Sequence, residues 1–136
     1  MMDPRSAMAA AAMELVGVPF RLHGRDRRRG VDCVGVLVIA LAAAGRRPRL
    51  PLEYTLRRTS IGDFVAAAAD VGLCPADGDL TAGDLLVAKP GAAQFHAGIC
   101  GFDNSIVHAH AGLGRVVLTP APLPWPLEHH WRLTSS

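Results

Sequence analysis

Aromatic residues are scarce in this sequence, and cysteines scarcer. Phenylalanine, tryptophan and tyrosine make up 5% of the 136 residues, and the cysteines are Cys33, Cys74 and Cys100. An odd number of thiols at unrelated spacings, with no C-x-x-C pair, excludes a disulfide framework and a structural zinc site built on cysteine pairs. Strong charge is missing too. A formal net charge of +2 and a pI near 8.7 fall well short of a dedicated nucleic-acid binder, so no nucleic-acid partner is expected. No stretch reaches the roughly 20 apolar residues of a membrane span. Internal repeats and low-complexity linkers are likewise absent, which leaves no natural break for a second domain.

What the chain does have is apolar material, half of its residues, enough to bury a core in one domain over residues 1–136. Residues 4–16 combine Pro4 with Ala, Met, Glu and Leu and stop at Gly17 and Pro19, which predicts a first helix. AMAAAAMELVGVPF superficially resembles a signal-peptide core, but Glu14 interrupts it and MMDPRS before it carries no net charge. It is therefore read as helix, with no signal peptide. CVGVLVIALAAA, residues 33–44, is apolar all round, with Asp32 before it and Gly45 after it. Its length and Ala-rich second half predict a buried helix capped by Asp32. TSIGDFVAAAADVG predicts a third helix, capped by Thr59 or Ser60 and ended by Gly72. Before the second helix lies the main basic run, RLHGRDRRRG, a solvated loop or one that attracts an anionic substrate.

The second half changes character. GDLLVA, FHAGIC, SIVHAH and RVVLT are short apolar runs separated by turn residues, the pattern of an antiparallel meander. The tail carries Pro120, Pro122, Pro124 and Pro126 and is expected to be extended, with His129 and His130 solvated. Helices first and strands after make the fold class α+β, with the helices packed on one face of the sheet. Cys74 and Cys100 are read as structural residues.

The chemistry concentrates at Cys33. A thiol opening a helix meets unpaired backbone N–H groups and the positive end of the dipole, conditions that lower its pKa. Period-two alternation puts His108 and His110 on one face of a strand. If that strand pairs with the one carrying His96, a three-residue loop through Gly101, Phe102 and Asp103 sets His96 opposite His108. A five-residue loop sets it opposite His110 instead, and either histidine then holds the His96 ring. A thiol, a base and an orienting group are the needs of nucleophilic catalysis.

DCVG (32–35), GDLL (83–86), HAGI (96–99) and VHA (107–109) resemble, in order and spacing, the D-C-x-G, G-D-L, H-x-G-I and (I/V)-H-A signatures of the NlpC-type (NlpC and p-sixty) cell-wall cysteine peptidases. GVPFRLHG upstream is similar to that family's G-x-P-Y-x-x-G-G segment. The resemblance implies a papain-like fold and a cysteine endopeptidase acting on amide bonds of peptidoglycan stem peptides, without cofactor or metal. It implies Cys33 as nucleophile, His96 as general base and His108 as the orienting residue. The size of the chain and its HHWRL ending most resemble small phage-tail and prophage members. The expected setting is thus cytoplasmic synthesis with use in a phage tail or delivery to the cell wall, and phage-tail proteins as further partners. Phe20 and Val34 stand where the family often has hydroxyls, so with Asp32 they are expected to bear on substrate binding. The arginines at 25 and 27–29 are expected to meet substrate carboxylates.

Two rivals remain at this point. One Cys with two or three His is a zinc-ligand set, and a non-catalytic tail-assembly or wall-binding module on the same scaffold would carry the same residues.

Overall fold

A computed structural model describes residues 3–50, 61–91 and 94–134. Helix α1 runs Pro4–Glu14, two residues shorter than the sequence predicts. Asp3 caps it, its carboxylate accepting from the amides of Arg5 and Ser6 at 3.0 and 3.1 Å. Helix α2 runs Cys33–Ala43 with Asp32 as N-cap, as expected. Gly45 follows with φ +76°, a left-handed turn suited to glycine. Helix α3 spans Ile61–Asp70 and leads to Gly72 at φ +90°. Its expected caps, Thr59 and Ser60, lie outside the described residues.

The basic run is more ordered than a loop. It holds two short strands, β1 (Arg25–Asp26) and β2 (Gly30–Val31), paired antiparallel. Asp26 closes the turn between them by accepting from the Arg28 and Arg29 amides at 2.7 and 2.9 Å. This small hairpin lies against the start of α2 at a point where only glycine fits. A Cβ on Gly35 would collide with the Gly24 carbonyl, so the glycine of D-C-x-G lets the helix tip approach the chain before it.

Among the described residues six more strands form one antiparallel sheet: β3 (Leu73–Pro75), β4 (Leu85–Gly91), β5 (Gln94–Cys100), β6 (Ser105–His110), β7 (Arg115–Pro120) and β8 (Leu127–Leu133). Their order is β3-β8-β4-β5-β6-β7. The meander is present from β4 to β7, but the tail does more than extend: it inserts as β8 between β3 and β4. Alternation then sorts the sheet's two faces. Leu85, Val87, Ala97, Ile99, Val107 and Ala109 join the main core with residues of α1, α2 and α3. Leu86, Ala88, Cys100 and Ile106 form a second cluster, covered by Leu123 and Trp125 of the proline-rich segment. That second face carries the histidines.

The register between β5 and β6 departs from the three-residue loop. Ile99 pairs with Val107 and Cys100 with Ile106, which is the longer-loop alternative. Asp103 and Asn104, at φ +62° and +56°, make a tight left-handed turn, and the Ser105 hydroxyl donates to the Phe102 carbonyl at 2.8 Å. The difference is a slip of two residues, which preserves the face each side chain points to.

Candidate active site

Cys33 stands at the first turn of α2, half-buried, and lines a cavity of about 220 Å³ together with Phe20, Val34, Phe95 and His96. The helix tip is fixed by Asp32, whose carboxylate is fully engaged. One oxygen accepts from the Gly35 amide at 2.9 Å and from Arg25 at 2.7 Å, the other from the His23 amide at 2.8 Å. Asp32 thus acts as cap and anchor of the β1–β2 hairpin. Phe20 and Val34 both line the cavity, Val34 as a buried wall residue at 1% exposure.

The arginines at 25 and 27 are not left unpaired. Arg25 is bound to Asp32, and Arg27 pairs with Glu14 at 2.8 Å on the open surface. Nor is the Cys33 thiol lowered. Burial, and then the neighbouring Asp32 charge, push it up to about 11, against the pull of the Ala97 and Val34 amides. The helix terminus is therefore outweighed by loss of water and by the very carboxylate that caps it. Cys100, also buried, is raised to about 12, whereas Cys74 lies exposed on β3.

His96 Nε2 and His108 Nδ1 are 2.7 Å apart, with the rings edge to face. Residues diagonal across an antiparallel pair have Cβ atoms about 7–8 Å apart, within reach of two extended aromatic side chains. The longer-loop register thus still joins His96 to His108. Gly98 makes the space: a Cβ there would lie 2.8 Å from Ile106 Cγ2 and 3.4 Å from His108 Cβ. His110 turns elsewhere, its Nδ1 accepting from the Leu113 amide at 3.0 Å in the β6–β7 turn. Burial first, and then the nearby His108 and His110, lower His96 to about 4. His108 is lowered by burial and by His110. At neutral pH the cavity is therefore lined by a protonated thiol and a neutral imidazole. Among the described residues no group of three His, Cys, Asp or Glu side chains is placed to hold a metal ion.

No family model matches the chain. Among solved structures, it is similar to the NlpC/p60 domain of the peptidoglycan hydrolase SagA, with TM-score 0.65 and 22% identity over 95% of this chain and 98% of that one. It is also similar to NlpC1 of Trichomonas vaginalis, with TM-score 0.67 and 17% identity over 97% of this chain and 46% of that one. These likenesses establish the fold. In sequence it is 33% identical over 103 residues to the probable endopeptidase NlpC of Escherichia coli (strain K12), covering 72% of this chain. The chain belongs to the NlpC/p60 family. It spans 56% of the length of that curated relative.

Two side chains at this NlpC/p60 site escape the sequence reading. Thr119 Oγ1 lies 2.8 Å from His108 Nε2, and Trp125 meets the His96 ring edge to face at 5.4 Å between centroids. Thr119 had a signal: it alternates onto the His108 face once Ile106 is paired with it. Trp125 had none, because only the return of the proline-rich segment over the sheet brings it there. The tail histidines are not solvated as the sequence predicts. His130 is 10% exposed and bonds Asp84 at 2.6 Å, and His129 stacks on Trp131 at 4.5 Å. Strand β8 carries both inward as it inserts beside β4.

Proposed function

We propose that this domain is a cysteine endopeptidase of peptidoglycan stem peptides, with Cys33 as nucleophile, His96 as general base and His108 as its orienting partner. The observation that carries the proposal is the hydrogen-bonded His96–His108 pair, one ring of which opens on the same cavity as a helix-tip thiol. The reaction class comes from the probable endopeptidase NlpC and the peptidoglycan substrate from two solved structures named as peptidoglycan hydrolases. These are the SagA domain and RipB of Mycobacterium tuberculosis, the latter 20% identical with TM-score 0.61 over 95% of this chain and 64% of that one.

The neutral resting pair gives the order of events. As Cys33 Sγ attacks the substrate carbonyl carbon, its proton passes to His96, so charge develops only with bond formation. Backbone N–H groups near the thiol, at the tip of α2, serve to stabilise the developing oxyanion in this scheme. The C–N bond then breaks, His96 returns the proton to the leaving amine, and water attacks the thioester to free the acid and the thiol. His108 holds the His96 ring through the 2.7 Å contact. Neither the fold nor the names of the relatives bear on a phage-tail setting, and the proposal stands without it.

The test is turnover of purified stem-peptide fragments, followed by appearance of new amines. The wild-type domain should cleave and Cys33→Ala should not, with both folded. A folded wild type that binds fragments without cleaving any would favour the non-catalytic module. Cleavage by Cys33→Ala at the wild-type rate would remove the nucleophile assignment.

A further inference from the structure

We infer that Thr119 is a positioning residue that sets the proton arrangement of the whole histidine line, and so decides whether His96 is in its basic form. The inference rests on the proposed roles of Cys33 and His96, and its test below has a readout independent of turnover.

The argument is one of counting donors and acceptors. A neutral imidazole has one N–H and one bare nitrogen. His96 uses Nε2 toward His108, which leaves Nδ1 as the nitrogen available to Cys33. To take the thiol proton, Nδ1 must be bare, so the His96 hydrogen sits on Nε2 and is donated to His108 Nδ1. His108 Nδ1 is then the acceptor, and the His108 hydrogen must sit on Nε2. That nitrogen lies 2.8 Å from Thr119 Oγ1, which accepts. The opposite arrangement would reverse each bond: Thr119 donating to His108 Nε2, His108 Nδ1–H donating to His96 Nε2, and the His96 hydrogen on Nδ1, where it blocks uptake of the thiol proton.

The two arrangements differ in what they ask of Thr119, and removing its oxygen does not affect them equally. His108 is 3% exposed. In the productive arrangement its Nε2–H would point at a methyl group, an unpaired buried donor, which is costly. In the reversed arrangement Nε2 is bare, a smaller loss, while the His96–His108 bond survives. Loss of the hydroxyl therefore tips the line toward the unproductive form without breaking the contact between the rings. His110, 6.2 Å from His108 between centroids, is a further titratable group close by. Its Nδ1 accepts from Leu113, so it does not supply the missing acceptor.

Thr119→Val keeps the size and the β-branch, and Thr119→Ser keeps the oxygen. The hydrogen sites are read from the ¹⁵N shifts of the imidazole nitrogens at pH 7.5 in the otherwise wild-type domain. Wild type and Thr119→Ser should show His96 protonated on Nε2 and His108 on Nε2. Thr119→Val should move a measurable share of both hydrogens to Nδ1. On a cleaved fragment, kcat should fall about 10- to 100-fold in Thr119→Val with KM little changed, and recover in Thr119→Ser. Should Thr119→Val fail to fold, Thr119→Cys supplies the same test with a weak acceptor. Unchanged hydrogen sites in Thr119→Val or Thr119→Cys overturn the inference, whatever the activity. Shifted sites with no turnover by any variant uphold the proton line while removing the peptidase reading.

Discussion

Two polar clusters are built into the same sheet, and they solve the problem of burial in opposite ways. Near the start of β4, Asp84 is fully buried and saturated by counter-groups. Arg132 reaches its carboxylate at 2.8 and 2.9 Å, His130 at 2.6 Å, and Thr81 through both amide and hydroxyl at 2.9 and 3.0 Å. Burial alone would raise its pKa, but the bonds from Arg132, His130 and Thr81 outweigh burial and hold it low. At the site formed by Cys33, His96 and His108, burial is not offset: the Asp32 charge adds to it at the thiol, where Arg25 is the smallest pull the other way, and the histidines are lowered further by one another and by His110, so every member is pushed toward its neutral form. A closed set of charges makes an anchor. An uncharged line with one end open to a cavity can still pass a proton, and the difference lies in the partners rather than in the depth of burial.

The sharpest way to break this comparison is at the open end. His96→Ala should lower kcat/KM by about 10²- to 10⁴-fold, the range for loss of a general base. Its thermal midpoint should fall by less than that of the closed cluster's variant, because His108 loses a partner but no buried charge is stranded. The closed cluster should behave the other way round. Asp84→Asn strands Arg132 and should cost roughly 3 kcal/mol in denaturant unfolding, the low end for a broken buried pair, since Arg132 is 28% exposed. Under conditions where the variant is folded, kcat should be close to wild type. A kcat effect larger than the stability effect would mean that the two clusters are coupled.

His108→Ala should fall between these, with kcat reduced about 10- to 1,000-fold because the base remains and its partner is gone. His110→Ala should cost less than that, as its ring is committed to the β6–β7 turn. A larger loss in His110→Ala at equal stability would transfer the orienting role to it.

The smallest effect separates the clusters by pH. His96 is lowered from 6.5 to about 4, so between those values the unfolded chain takes up a proton that the folded one refuses. Its contribution to stability is complete above pH 6.5 and is lost as pH falls toward 4. Asp84 is lowered from 3.8, so its contribution persists until pH falls below that value. In thermal melts, His96→Gln should flatten the wild-type decline between pH 6.5 and 4 and leave the steeper loss below pH 3.8 unchanged.

Local signals carried much of this into the sequence. Asp32 before an apolar run that ends at Gly45 marks α2, and with it the position of Cys33, because caps and stops are encoded within a few residues. Period-two alternation carried His96 and His108 to one face, since a slip of two residues cannot move a side chain across the sheet. The register itself was not legible: it depends on Asp103 and Asn104 both adopting left-handed backbone, which no short pattern in GFDN enforces. His130, Trp125 and the partners of Asp84 were equally hidden. They meet only after β8 returns between β3 and β4, a pairing of residues far apart in the chain. The Cys33 thiol shows the same limit, because the helix terminus is readable from sequence and the burial that overrides it is not.

The identity of the nucleophile can be read directly. The wild-type domain, acid-quenched during turnover of a stem-peptide fragment and digested, should carry the mass of the acyl portion on the peptide containing Cys33. The adduct should be absent from His96→Ala quenched at the same time. An adduct on the Cys74 or Cys100 peptide, or steady product release with none on Cys33, would contradict the account.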